Sequence, residues 1–192
     1  MSDAATEKEK IRKSMLKIRN SVPETELFER SKLVQNNVLN SSHFANSETL
    51  GVYYPVGSEV RTEEIIQKAL NLAKKVALPI IDSDKMKFYQ LNLRHLQDNT
   101  LVTGKFGLKE PVKKGAEITK IDLLIVPGIA FDHEGARIGY GRGYFDRYIR
   151  GAKVSFSLGL GYRFQLISKS LPQSDLDQRI NGLSTEDCVL YF

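Results

Sequence analysis

Apolar positions recur at helical spacing twice near the start of the chain. In "TEKEKIRKSMLKIRNS", Ile11, Met15 and Ile18 predict one buried face. Lys8 and Arg12 lie four apart on an adjacent face, so both can reach one target, or both can be solvated. The next stretch opens "SVPE". Ser21 is expected to cap it, Pro23 suits its first turn and Glu24 completes a Ser-x-x-Glu box. Leu27, Val34 and Val38 mark the buried face of this second helix. The pattern then changes. Leu50 to Tyr54 is an apolar run ended by Pro55, which predicts a strand. Thr62 is the expected N-cap of a helix with Glu63 and Glu64 in its first turn and Ile65, Ile66, Ala69, Leu70 and Ala73 on its apolar face. Val76 to Ile81 is the next strand. Strand, helix, strand in this order is a βαβ unit, which implies parallel pairing.

Further along, "KMKFYQL" alternates as a strand near a sheet edge does, and "GKFGLKEPVKKGAEI" has the Gly, Pro and Lys density of a loop. "IDLLIVPGIAF" is the most apolar strand, as expected for a central parallel strand buried on both faces. A short helix is expected around Tyr144 to Ile149, and "VSFSLGLGY" reads as another buried strand. "RFQLISKSLP" reads as a short helical or irregular connection and "DCVLYF" as a final strand. The expected fold class is α/β: a single domain over residues 1–192, with one open, mostly parallel sheet and helices on both faces.

Composition narrows the function classes. The chain has 192 residues, 41% hydrophobic and 27% charged, an ordinary globular balance. Its one cysteine, Cys188, excludes an internal disulfide and a cysteine-based metal cage, and its apolar surroundings predict a small buried hydrophobe. No apolar run reaches membrane-span length, and "MSDAATEKEK" lacks the apolar core of a signal peptide, so a cytoplasmic protein with no membrane partner is expected. The net charge of +5 favours anionic partners. No Lys/Arg block and no interleaving of aromatic with basic residues points to nucleic acid, which leaves small anions as the expected ligands. His43, His95 and His133 show no metal-ligand spacing.

The densest chemistry lies in "ARIGYGRGYFDRYI", residues 136 to 149. It leaves a buried strand and enters a helix, the place where open α/β sheets bind ligands. Glycines there can adopt positive φ and bring N–H groups to an anion, and a helix start adds partial positive charge. Arg137 and Arg142 can add full charges, and Asp146 can hold the magnesium that accompanies phosphates. The spacing is neither that of the common NTPase phosphate loop nor the dinucleotide fingerprint. From the residues alone, a structural turn and a phosphate grip both remain open.

The complete string "IDLLIVPGIAFDHEGARIGYGRGYFDRYI" resembles the signature of the 5-formyltetrahydrofolate cyclo-ligase (5,10-methenyltetrahydrofolate synthetase) family. The resemblance extends along the chain through "KEKIR", "YYPVGSEVRTEEII", "GKFGLKEP" and "LGLGYRFQLISKSLPQSDLDQRINGLSTE". It implies a Rossmann-like sheet similar to the sugar-phosphate isomerase/CoA-transferase-like fold. It also implies an ATP- and Mg²⁺-dependent ligase. The phosphorylated formyl oxygen of 5-formyltetrahydrofolate would leave as phosphate after attack by N10, giving 5,10-methenyltetrahydrofolate and ADP. The substrate would carry a polyglutamate tail or none, and the protein would act as a monomer.

Residue by residue, the resemblance places Lys8 and Arg12 on the ATP phosphates, together with Arg137, Ile138, Gly139, Tyr140, Gly141, Arg142, Gly143, Tyr144 and Phe145. Residues 140 to 144 would also border the folate, with Arg137 and Tyr144 catalytic. Tyr54, Glu59 and Phe106 would line the folate pocket, and Asp146 and Asn181 would meet the metal. The chain departs from the family pattern at three of these places. Arg142 stands where Gly or Lys is frequent, Phe145 where Tyr is frequent, and Asn181 where some relatives carry Asp. Asp177 suits either a turn or the orientation of an arginine or the metal. Two other readings use the same glycine stretch: another phosphate-handling α/β enzyme (a kinase, or a sugar-phosphate isomerase or transferase), and a non-catalytic nucleotide- or RNA-binding protein.

Overall fold

The computed structural model describes residues 3–91, 101–105, 109–111 and 115–192. Its centre is an eight-stranded sheet. β1 (Thr49–Gly51), β2 (Lys75–Asp82), β7 (Lys120–Pro127), β10 (Lys153–Leu160) and β12 (Gly182–Ser184) run parallel. β3 (Lys85–Leu91), β6 (Glu117–Ile118) and β13 (Val189–Tyr191) add antiparallel margins, in the order β13-β12-β10-β7-β1-β2-β3-β6. Two small sheets accompany it. β8 (Ala130–Asp132), β9 (Arg137–Ile138) and β11 (Leu166–Ile167) form one, and β4 (Leu101–Thr103) and β5 (Lys109–Pro111) the other.

β7 is the central strand that its composition predicts: it pairs with β1 on one side and β10 on the other. Its side chains alternate between two cores. Leu123 and Ile125 pack with helices α2 (Glu24–Leu39) and α4 (Glu63–Asn71), through Leu27, Val34, Val38, Ile65, Ile66 and Ala69. Leu124 and Val126 face the other way, toward Tyr144, Tyr148 and Ile149 of α5 (Tyr144–Gly151). Both sheet faces are therefore covered, as a parallel sheet requires.

Several local expectations are corrected. The strand expected over Leu50 to Tyr54 pairs only through Gly51, and Val52 N–H adds one bond to Ala77 O. Ser21 does not cap α2: helix α1 (Asp3–Ser21) runs through it, and its Oγ donates to Ile18 O. Thr62 precedes α4 but its Oγ1 donates to Tyr53 O, while Gln35 Oε1 from α2 accepts from Glu64 and Ile65 N–H. Ala73 lies beyond the end of α4, exposed and at φ +57°. Part of the stretch expected as loop forms β5 and β6. "RFQLISKSLP" contributes one 3₁₀ turn, Arg163–Gln165, and β11. Cys188 is exposed, because it precedes an edge strand with solvent on one side.

On α1 the expected face is also shifted. Met15 is buried, but Ile18 is 44% exposed and Arg19 only 3% exposed. The inward positions 8, 11, 12, 15 and 19 follow i, i+3, i+4, i+7, i+11, a regular helical stripe that includes three cations. None of the helices among the described residues is long and apolar enough to cross a membrane.

Candidate functional site

Strand order places the site. From β1 the chain moves to β2 on one side, whereas β7, β10 and β12 build outward on the other. The reversal lies between β1 and β7, and ligands of such sheets occupy the crevice beyond the strand ends there. Two loops leave the sheet at this place. One carries Val56 to Glu59 after β1, the other Gly128 after β7. Helix α1 lies across both.

The β7 loop is built to hold the glycine stretch. Asp132, 1% exposed, accepts at Oδ1 from Glu134 and Ala136 N–H and at Oδ2 from Leu171 N–H, each at 2.8–2.9 Å. These bonds shape the turn from β8 into β9 and deliver Arg137 inward. Arg137 is 8% exposed; its guanidinium donates to Pro127 O at 3.2 Å and to Asp146 Oδ1 at 2.9 Å. It also lies over the Phe145 ring at 5.9 Å, and its Nε is buried with no partner. Beyond it, Gly141 (φ +88°) and Gly143 (φ +63°) take the left-handed backbone that glycine tolerates. Gly143 is the N-cap of α5 and has no side-chain cap, so the helix's first N–H groups lack that acceptor.

Helix α1 brings its cations to this loop. Arg12 Nε donates to Gly139 O at 2.8 Å and pairs with Glu9. A Cβ built on Gly141 would lie 3.4 Å from the Arg12 guanidinium, so the two are in direct apposition. Lys8 is paired with Asp177, whose carboxylate also accepts from Ser174 N–H and Oγ. Burial works to raise the Asp177 carboxyl, but Lys8 and Ser174 outweigh it and hold it below its ordinary value. Asp177 thus accepts within its own turn, as the turn reading has it, and its cation is Lys8 of α1 rather than an arginine or a metal.

The β1 loop makes the second half. Glu59, 8% exposed, accepts from Val56 N–H at Oε2 (2.9 Å). Beside it a cleft of about 460 Å³ opens between α1, α2 and this loop, walled by Leu27, Phe28, Ser58, Glu59, Arg61 and Tyr162. That volume suits a small heterocycle. Burial raises the Glu59 carboxyl; Val56 N–H, the Tyr140 hydroxyl and Arg19 oppose the rise. Tyr140 is 48% exposed as a residue, yet its hydroxyl end turns inward to Arg19 and Glu59.

Of the sequence-selected residues, Arg12, Arg137, Gly139 to Gly141, Gly143, Asp146 and Glu59 lie at the crevice, with Lys8 at its margin, whereas Ile138 packs in a small core with Ala130, Ala136 and Leu171 and the Tyr144 ring packs toward Leu124 and Val126 on the other face of the sheet. Arg142 is exposed at the loop tip, and its carbonyl accepts from Arg147. Tyr54 packs against the main core near Glu63 and Arg61, outside the cleft wall. Asn181 lies before β12 and its Oδ1 accepts from Ser157 N–H and Oγ at 2.8 and 2.9 Å, so that oxygen already serves strand pairing. Phe106 lies outside the described residues. Among the described residues no group of three or more His, Cys, Asp or Glu side chains is placed to hold a metal ion. The donor set therefore fits magnesium only as an ion carried by phosphates and met by one carboxylate, Asp146.

Sequence reasoning missed Arg19, Asp132 and Gln165. Gln165 Nε2 donates to Gly128 O and Ile129 O, fixing the start of the β7 loop. Arg19 was signalled by the helical stripe and Asp132 by the Asp-x-x-Gly turn that it anchors, whereas Gln165 had no local signal for its contacts with Gly128 and Ile129.

The model of the 5-formyltetrahydrofolate cyclo-ligase family matches residues 4–186. A probable 5-formyltetrahydrofolate cyclo-ligase of Caenorhabditis elegans is 28% identical over 205 residues, covering 100% of this chain and 98% of the relative. The 5-formyltetrahydrofolate cyclo-ligase of Haemophilus influenzae is 29% identical over 175 residues, covering 88% and 92%. The NMR structure of Aquifex aeolicus 5,10-methenyltetrahydrofolate synthetase superposes with a TM-score of 0.83 at 31% identity, covering 96% of this chain and 92% of that one.

Proposed function

The chain belongs to the 5-formyltetrahydrofolate cyclo-ligase family, and from that membership we propose that it converts 5-formyltetrahydrofolate to 5,10-methenyltetrahydrofolate with ATP and magnesium. The 192 residues act as one domain and as a cytoplasmic monomer. The observation that carries the reading is the meeting, at the sheet's reversal point, of a cationic glycine loop with a buried carboxylate beside a cleft.

The residues divide the work. Arg12, Arg137, the backbone of residues 139–143 and the open start of α5 form the anion side. The unpartnered Arg137 Nε and the uncapped helix start leave donors there for phosphate oxygens. Lys8 stands at the rim, released from Asp177 when a phosphate offers a stronger partner. Asp146 provides the metal-facing carboxylate. When bound, ATP supplies the phosphoryl group that turns the formyl oxygen into a leaving group. Glu59, an acceptor-only anion, suits the adjacent N–H donors of a pterin edge, and Leu27, Phe28 and Tyr162 give its rings an apolar wall. Tyr140 belongs to both halves: its backbone lies in the anion loop and its hydroxyl meets Glu59. Tyr144 follows at the helix start and contributes there through its backbone, its ring packing toward Leu124 and Val126 on the other face of the sheet. Phosphoryl transfer needs positioning and charge stabilisation more than a protein nucleophile.

The test is optical. Purified protein with 5-formyltetrahydrofolate and MgATP is expected to produce the near-ultraviolet band of the methenyl product, and to produce none when ATP or magnesium is omitted. Folded protein that binds ATP yet forms no product would return the site to another phosphate-handling enzyme.

A further inference from the structure

Arg19 is a buried cation with no role in the assignments above. It sits at the reversal point itself. Nε donates to Ser58 Oγ at 2.9 Å, Nη2 to Tyr140 Oη at 2.7 Å, and Nη1 reaches Gly128 O at 3.4 Å. Ser58 passes the contact on, donating to Asn20 Oδ1 at 2.6 Å. One guanidinium thus spans the β1 loop, the β7 loop and the glycine stretch.

We propose that Arg19 is a positioning residue for the acceptor pocket: it fixes the Tyr140 hydroxyl and the Ser58–Glu59 turn in one arrangement, which aims the Glu59 carboxylate into the cleft. The identity of the acceptor rests on the cyclo-ligase reading; the geometry does not. The chemistry runs in one direction. Arg19 can only donate, and Glu59 as an anion can only accept. With Arg19 donating to its oxygen, the Tyr140 hydroxyl turns its own proton to Glu59, so the tyrosine relays the charge's preference. A carboxylate this deeply buried would otherwise take up a proton. The groups that act on Glu59 are Arg19, Tyr140 and Tyr53, with Val56 N–H on Oε2, and Arg19 is the cation among them. Lysine could supply the charge but not three donors in a fixed plane.

The experiment follows the Glu59 carboxyl by ¹³C NMR against pH in ligand-free protein, assigned with Glu59→Gln, and adds steady-state KM values. Arg19→Gln is expected to move the Glu59 midpoint up by about one unit, as the loss of an adjacent cation does. It is expected to raise the KM for 5-formyltetrahydrofolate about tenfold or more, the cost of a charge-assisted contact. The KM for MgATP is expected to stay within about twofold, since Arg19 meets the glycine stretch only at the Tyr140 hydroxyl and not at its backbone N–H groups, Arg12 or Arg137. Arg19→Lys should keep the midpoint near wild type while the folate KM still rises, separating charge from placement. If Arg19→Gln does not fold, Tyr140→Phe, which removes one oxygen, should still raise the midpoint. An unchanged Glu59 midpoint in a folded Arg19→Gln or Tyr140→Phe protein would overturn the proposal, as would equal rises in both KM values. Wild-type protein that turns over no folate would sink the cyclo-ligase reading while leaving the NMR test of Arg19 intact.

Discussion

Arg137 and Asp146 close the glycine loop on themselves: the guanidinium at the loop's start donates to the carboxylate in the first turn of α5 at 2.9 Å, with the arginine side chain 3% exposed. The residue assigned to phosphate and the residue assigned to magnesium therefore neutralise one another before any ligand arrives. Under the proposed function, nucleotide binding is expected to divide this pair between a phosphate and a cation.

Arg137→Ala follows from that pairing. It removes the phosphate contact and leaves Asp146 without its cation. The expected result is a fall in kcat/KM for MgATP of about 100-fold or more, the scale of losing one preorganised charge donor. The far-ultraviolet circular dichroism should keep the wild-type shape. Steady-state kinetics with varied MgATP, beside the spectrum, checks both. An Arg137→Ala enzyme with wild-type nucleotide kinetics would remove the arginine from the phosphate site.

Glu59→Gln separates function from stability. Burial raises the Glu59 carboxyl above its ordinary value of 4.5. The folded state thus binds this proton more tightly than the unfolded chain. The stability gained from the protonated form is present below about that ordinary value and is lost as pH rises through the folded one. The neutral amide escapes this loss. At pH 7 the variant should melt at the same or a higher temperature than wild type, and any advantage should vanish in acid. Its folate KM should rise by about tenfold or more. A variant that melts much lower at pH 7, with folate KM unchanged, would mark Glu59 as scaffold.

Asp132→Ala tests the support beneath the loop. Three backbone N–H groups, two of them buried, lose their acceptor together. The expected destabilisation is about 3 kcal/mol, read from urea melts. Nucleotide KM should rise as well, because Arg137 is delivered by the same turn. A loss confined to stability would separate the turn from the site.

Lys8→Ala should be most visible away from acid. Although burial opposes it, the lysine and Ser174 hold the Asp177 carboxyl below its ordinary value of 3.8. Their stabilisation is present above that value and is lost as pH falls through the lower folded one. The gap in urea midpoint between wild type and Lys8→Ala should therefore be wider at pH 7 than below pH 3. A gap independent of pH would show that the pair contributes nothing through charge.

Periodicity made much of this molecule legible. The apolar run of β7, the βαβ unit and the face of α2 follow directly from where Leu123 to Val126, Ile65 to Ala69 and Val34 to Val38 stand. The glycine stretch was visible because its alternation of Gly with Tyr and Arg has no use in a core. Arg19 was hidden by an assumption that inward positions are apolar, which turned the reading of α1 toward Ile18. Asp132 anchors a local turn through Glu134 and Ala136, but its third partner, Leu171, lies 39 residues on and is invisible in the local sequence. Ser21 matched a capping pattern, but α1 continues through it. The carbonyl of Asn181 looked available in sequence; strand pairing with Ser157 claims it in space.

In the proposed reaction the anion loop and the acceptor cleft adjoin closely enough for a phosphoryl group to pass to the formyl oxygen. The direct measurement is isotopic. 5-Formyltetrahydrofolate labelled with ¹⁸O in the formyl group is converted with unlabelled MgATP, and the phosphate released is analysed by mass spectrometry. The account predicts one labelled oxygen in each phosphate formed. Methenyl product accompanied by unlabelled phosphate, with the label in water, would contradict it.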